Sequence, residues 1–457
     1  IGFRSRLVAC GYSQKKGVDY EETFASTAQF KTFRLLMSMA VNLGWDVDLF
    51  DVSSAFMNAP SDVPLYMEQP AGHVIAGKED HVLLLKKSIN GTKQAARAWQ
   101  QFLTESMVGL GFEQSKLDEC CFTLKQDGKM AVALVHVDDI AFFSDSPDLK
   151  TWVLTELQKL FEIRDEGKLE MFLGVQVIWG EDGSATLNQS NYIAAMVRKF
   201  LPVIGDLSSI TAPVRSTVRL SSDMLPKTPE EKAAAQKLPY PELVGALMYV
   251  RLTRPDCLFA LSQVTRFMTS WGQGHWQAAL LLLKYLFKYK DEGCVYQKRV
   301  GEHTLHAAAD SDHAGNGDFG MPDIARKSHG GYAVWHKGNL VEAKSKGQSC
   351  VALSSTHAEI IEATNCTRAV CWHLMFLKEL AGRFAGTKLS SQLEIDRPVA
   401  ILEDNAGAIS YSKYATNHER TKHIDVDYFF LRESYVGRKI ELTKIHTSLN
   451  PADVFTK

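Results

Sequence analysis

The sequence lacks several features, and each absence removes a class of protein. No apolar run approaches the ~20 residues a membrane-crossing helix needs, and the longest candidates, such as residues 278–283, are far too short. Neither sign of charge dominates, with 51 basic residues against 53 acidic ones and a net charge of −2. Nucleic-acid binding therefore has no global electrostatic case and would need local Lys and Arg placed at a groove. The cysteines, at 10, 120, 121, 257, 294, 350, 366 and 371, form no CxxC pair and no Cys/His zinc spacing. In so long a chain that pattern implies reduced thiols in a reducing compartment. Short repeats and low-complexity tracts are missing too. No initiator methionine or signal-peptide pattern opens the chain at Ile1-Gly2-Phe3-Arg4, so it reads as a piece of something longer.

What is present is an ordinary globular balance, 45% hydrophobic and 23% charged. This excludes a wholly disordered, collagen-like or simple coiled-coil chain. A length of 457 residues implies two to four domains. Residues 207–241, rich in Ser, Thr, Pro, Lys and Glu, read as a linker or exposed loop. A second shift, rich in Gly and charge, falls at 290–303. Three segments result: 1–212, 213–302 and 303–457.

The first segment mixes helix (32–43, 94–110) with strand (47–52, 130–137, 140–143). The last two strands enclose only Asp138 and Asp139, a hairpin with two acids at its tip. The middle segment is mostly helical, broken at Arg254-Pro255-Asp256. The last segment predicts strands at 304–309, within 331–343, at 399–402 and at 440–446. It predicts helices at 355–380 and 423–433, with another opening at Asn450-Pro451. The fold class is α+β and α/β, multidomain.

Certain carboxylates invite chemistry. Asp51 ends an apolar strand, where a lone acid ordinarily faces water. Asp138-Asp139 is harder to dismiss, because adjacent acids between apolar runs cost repulsion and desolvation that a divalent cation removes. Two cations could clamp the attacking and leaving oxygens of a phosphoryl transfer. Asp310, Glu359, Asp404 and Asp453 form a second constellation. Each has a bland alternative: a strand end for Asp310, a Thr356–Glu359 capping box, an Asp404-Asn405 turn and a helix N-terminus for Asp453. Together, four acids at the ends of elements in one α/β domain suit a two-metal nuclease.

Longer motifs then carry a resemblance. Arg6-Leu7-Val8-Ala9-Cys10-Gly11-Tyr12-Ser13-Gln14, Asp51-Val52-Ser53-Ser54-Ala55-Phe56, Gly91-Thr92-Lys93-Gln94-Ala95-Ala96-Arg97-Ala98-Trp99, His136-Val137-Asp138-Asp139 and Phe172-Leu173-Gly174-Val175 run in order. They resemble the reverse transcriptase of copia-type LTR retrotransposons. Thr253-Arg254-Pro255-Asp256 and His275-Trp276 follow. Ala309-Asp310-Ser311-Asp312, the stretch from Leu353 to Glu359, Asp404-Asn405 and Ala452-Asp453 resemble the same family's ribonuclease H.

The resemblance implies a right-hand polymerase (fingers and palm, 1–212; thumb and connection, 213–302) followed by an RNase H fold (303–457). It implies RNA-directed DNA polymerase and ribonuclease H activities. Asp51 and Asp138 would hold two Mg2+, with Asp139 beside them; Asp310, Glu359, Asp404 and Asp453 would hold two more, and Mn2+ could substitute. Phe56 would be the steric gate against a 2′-OH, Gln94 would touch the incoming nucleotide, and Arg4 or Arg6 would meet its triphosphate. Lys93, with Arg97, Lys86 and Lys87, would hold backbone phosphates. His418 and His423 would assist product release or simply pack. Asp425 competes with Asp453 as the fourth nuclease ligand. The implied partners are RNA template, DNA primer, RNA–DNA hybrid and dNTPs, with a homodimer as a further option and no membrane. The implied location is cytoplasmic, in virus-like particles, or nuclear.

The sequence departs from the family pattern at His136, in place of an aromatic, at Ser88-Ile89-Asn90, at Ala96, at His313 and at His357. The alternative reading is accordingly a catalytically silent, nucleic-acid-binding remnant.

Overall fold

The computed structural model describes residues 7–201, 205–214, 220–299, 304–316, 326–393, 395, 397–414 and 425–457. Two compact units divide the chain. The first is Ile1–Leu36, Gly44–Leu173 and Glu379–Gln392; the second is Met37–Leu43, Gly174–Lys378 and Leu393–Lys457.

In chain order, the first unit has α1 (Phe30–Leu43, its first half), β1 (Asp46–Val52), β2 (Pro60–Met67), β3 (Leu83–Lys87) and α2 (Ala95–Gly109). It continues with β4 (Glu113–Gln114), β5 (Cys121–Gln126), β6 (Lys129–His136), β7 (Asp139–Ser144), α3 (Pro147–Gln158) and β8 (Ile163–Lys168). Six strands form one sheet in the order β4-β5-β6-β7-β1-β8. The apolar runs of β6 and β7 are buried almost end to end, as strands covered on both faces must be. Trp99, Leu103 and Met107 of α2 and Leu149, Val153 and Leu157 of α3 recur at helical spacing and pack on this sheet. Each such burial contributes roughly 1.5–3 kcal/mol. Ser146 caps α3 by accepting the Leu149 N–H, with Pro147 at its first position.

The second unit continues with a short strand β9 (Val175–Trp179), β10 (Ala185–Asn188) and the helices α4 (Ser190–Phe200), α5 (Pro229–Gln236), α6 (Tyr240–Tyr249), α7 (Leu258–Thr265) and α8 (Gln273–Lys288). Strand β11 (Cys294–Tyr296) pairs antiparallel with β10. The segment read as a linker is not all loop: α5 forms there, because Thr228 and Glu231 make a reciprocal capping box with Pro229 at the first helical position. The break at 254–256 is a structural centre. Arg254, 2% exposed, donates to both oxygens of Asp256 (2.9 and 2.7 Å) and to the Tyr289 carbonyl at 2.7 Å.

A mixed five-stranded sheet follows. Its strands are β12 (Leu305–Asn316), β13 (Lys327–His336), β14 (Asn339–Gly347), β15 (Val399–Glu403) and β16 (Ile440–Lys444), in the order β14-β13-β12-β15-β16. The first three strands are antiparallel, and β12-β15-β16 are parallel. The helices of this part of the chain are α9 (Ser355–Arg383), α10 (Lys388–Leu393), α11 (Ala406–Lys413) and α12 (Asp425–Val436), with the end of α9 and nearly all of α10 counted in the first unit. The helix expected after Asn450-Pro451 is only a 3-10 turn, Asp453–Phe455, within the chain's last residues. All eight cysteines carry free thiols. Among the described residues, no helix is long and apolar enough to cross a membrane.

Candidate functional site

The first site is built by β1 and the β6–β7 hairpin. Asp51 and Asp139 are opposed residues of the antiparallel β1–β7 pair. The hairpin turn is Val137-Asp138, one residue earlier than the two-acid tip expected, so Asp139 belongs to the strand. Two contacts fix this. The Trp99 indole N–H donates to the Val137 carbonyl at 2.6 Å, and the Val52 N–H donates to the Asp138 carbonyl at 2.8 Å. Val137 accordingly sits at φ +58°, a costly conformation for a β-branched residue and one that clusters at working sites. Burial first, then the charges of Asp138 and Asp51, push the Asp139 carboxyl up to about 6.

Phe56 lies half-buried in the 3-10 turn Ala55–Asn58, against the sheet core. His136 presents its ring edge to Phe172. Gln94 is buried at the mouth of α2. Its amide donates to the Asp19 carbonyl at 2.9 Å and accepts from Gln14 at 3.1 Å. Lys93 is exposed, with its ammonium over the Tyr20 ring and 3.1 Å from the Gln14 carbonyl. Arg97 pairs with Glu22. Lys86 and Lys87 are exposed on β3. Arg4, Arg6, His418 and His423 lie outside the described residues.

The second site stands on β12, α9 and the end of β15. Carboxylate oxygens of Asp310, Glu359 and Asp404 all lie within 4.8 Å of one another. The parallel β12–β15 pairing brings Asp310 and Asp404 to the same sheet end. The capping box expected at Thr356 does not form around Glu359. Ser354 accepts the His357 N–H instead, at 3.1 Å, which frees Glu359 to turn inward. Glu359 is 6% exposed, and its Oε2 is buried with no hydrogen-bond partner among the described residues. Burial, then Glu403, Asp310 and Asp404, push its carboxyl up to about 10. Burial also raises Asp310, whose Oδ2 accepts from the Thr456 hydroxyl. Asp404-Asn405 is no free turn, because Asn405 caps α11 by accepting the Ala408 N–H at 3.0 Å.

Asp453 is not in the 4.8 Å group; Lys457 pairs with it. The side chain of Asp425 is outside what the structure describes. On α9 and β15, sequence reasoning missed two further buried acids, Glu362 and Glu403. Alternation along β15, with Val399 and Ile401 inward, was the available signal for Glu403. An all-oxygen set of this kind, with an orphaned buried oxygen, fits a hard divalent cation.

Residues 1–215 match the family model for reverse transcriptase (RNA-dependent DNA polymerase). The whole chain is 32% identical over 460 residues to the retrovirus-related Pol polyprotein from transposon TNT 1-94 of Nicotiana tabacum, of which it covers 33%. Identity to the corresponding polyprotein from transposon RE1 of Arabidopsis thaliana is 30% over 455 residues, covering 29% of it. The chain thus spans about a third of the length of these curated relatives. Among solved structures, LC11-RNase H1 with an RNA/DNA hybrid matches 33% of the chain and 91% of its own, at 14% identity and a TM-score of 0.23. The foamy viral protease-reverse transcriptase with double-stranded DNA matches 88% of the chain and 59% of its own, at 10% and 0.19.

Proposed function

We propose, for a chain that belongs to the reverse transcriptase family of transposon Pol polyproteins, an RNA-directed DNA polymerase joined to a ribonuclease H. The polymerase extends a DNA primer on an RNA template with dNTPs, and the nuclease cuts the RNA strand of the hybrid. The observation that carries this reading is the gathering of Asp51, Asp138 and Asp139 in the part of the chain that matches the family. The Asp310–Glu359–Asp404 cluster supports the nuclease half.

Asp51 and Asp139 sit on paired strands, with Asp138 in the turn that joins β6 to β7, an arrangement that suits a site working by positioning. Asp51 and Asp138 hold divalent cation, Mg2+ or Mn2+, with Asp139 beside them. Cation held by these residues would supply activation of the primer 3′-hydroxyl and neutralisation of charge on the triphosphate. Phe56 lies under the sugar and leaves no room for a 2′-hydroxyl. Gln94 and Lys93 hold the segment around Gln14 to Tyr20 against α2, and so shape the nucleotide side. Arg4 and Arg6 would meet the triphosphate.

In the nuclease, Asp310, Glu359 and Asp404 hold cation, and Asp453 completes the set from the C-terminal turn. The RNA strand is selected through its 2′-hydroxyls and the hybrid shape. The domain reading is fingers and palm over 1–212, thumb and connection over 213–302 and RNase H over 303–457. The proposed setting is a cytoplasmic particle, with passage to the nucleus. Primer extension on an RNA template with Mg2+ tests the first activity, and release of labelled RNA from a hybrid tests the second. A folded chain that does neither overturns the reading.

A further inference from the structure

We infer that Glu403 is a positioning residue for the cation at the Asp310–Glu359–Asp404 cluster, holding the Asp404 turn with one carboxylate oxygen while the other stays buried beside that turn. The inference rests on the nuclease-site reading above and adds a residue to it.

Glu403 is the last residue of β15 and is 0% exposed. Its Oε1 accepts the Asn405 N–H at 2.9 Å, which ties the carboxylate to the turn carrying Asp404. Its Oε2 is buried with no hydrogen-bond partner among the described residues. Among the charges acting on Glu359, that of Glu403 is the strongest, ahead of Asp310 and Asp404. Glu359 and Glu403 thus each carry one buried carboxylate oxygen without a hydrogen-bond partner among the described residues.

A merely structural acid would satisfy both oxygens. An unpaired buried oxygen costs roughly 1–3 kcal/mol, and more when charged. Such a group is retained where something outside the chain offsets it. The nearest chemistry that does so is a divalent cation with its ordered water, for which outer carboxylates orient the direct ligands.

The test is Mn2+ binding to the full chain, followed by calorimetry and electron paramagnetic resonance. Wild type, Asp310→Asn, Glu403→Gln and Glu403→Asp are compared. The binding lost in Asp310→Asn defines this site. Glu403→Gln keeps the acceptor for Asn405 and removes the charge. It should weaken Mn2+ at that site about tenfold, and Glu403→Asp should recover part of the loss. Unchanged Mn2+ affinity in folded Glu403→Gln overturns the inference. Should Glu403→Gln not fold, an unchanged affinity in Glu403→Asp overturns it equally. A wild type that binds Mn2+ with this pattern but cuts no hybrid removes the nuclease reading and leaves the inference standing. Absence of any Asp310-dependent Mn2+ binding overturns both.

Discussion

Asp51 and Asp139 face each other across the antiparallel pair of β1 and β7, two acids at one register position at the end of an apolar ladder. Like charges directly opposite destabilise a sheet. The arrangement is costly to the fold and useful to a cation site, and the same is true of Glu359 above β12. Folding alone gives no reason to keep either pair.

Replacing Asp139 with Asn should therefore stabilise the metal-free protein. Burial and its two acidic neighbours hold the folded carboxyl at about 6, above its unfolded value near ~3.9. The stability this group adds is complete below the unfolded value and lost as pH rises through about 6. Asp139 is half-exposed, so screening leaves about 1 kcal/mol. Thermal melts in chelator from pH 4 to 8 should show wild type losing stability across that window and Asp139→Asn losing less.

His329 runs the other way. It is 2% exposed, with Ser345 Oγ at 2.8 Å from its Nε2, and burial first, then Arg266, pushes it down to about 4. A buried neutral histidine adds stability above its unfolded pKa and loses it as pH falls. The window runs from ~6.5 to ~4 and is worth about 3 kcal/mol. The His329→Gln protein should lose correspondingly less stability over that range in urea titrations at stepped pH.

Much of this was legible in the sequence, and the misses share one physical origin. Strand β1, helices α1 and α2 and the break at Arg254-Pro255-Asp256 are written in local periodicity and in Pro and Gly. The hairpin turn was misplaced by one residue because the Trp99–Val137 bond that fixes it joins residues far apart in sequence. Helix α5 was hidden by polar composition although Thr228, Pro229 and Glu231 spelled its cap. The inward turn of Glu359 depends on which of two hydroxyls caps α9. Glu403 is marked only by the burial of alternate residues along β15, which local sequence shares with any half-buried strand.

Arg254 is a structural charge, in contrast to these. Arg254 is buried but its partner Asp256 is 40% exposed, so removing Arg254 costs about 1–3 kcal/mol, below the range of a fully buried pair. Arg254→Ala, which also strands the Tyr289 carbonyl, should lower the urea midpoint of the second unit accordingly. Arg254→Lys should recover only part, since it lacks the forked geometry.

Gly91 seats the segment before α1. It sits at φ +94°, and a Cβ there would lie 2.2 Å from the Ala9 carbonyl oxygen. Gly91→Ala should release that segment at a cost of roughly 1–3 kcal/mol. Limited trypsinolysis at Lys15 and Lys16 reads this directly, and cutting should become at least ~10-fold faster.

The most direct measurement is a paired assay on one preparation: primer extension on an RNA template and RNA cleavage of a hybrid, both with Mg2+. Wild type should do both. Asp138→Asn should lose extension and keep cleavage, and Asp310→Asn should do the reverse. Extension that survives Asp138→Asn, or cleavage that survives Asp310→Asn, contradicts the assignment of two separate carboxylate sites.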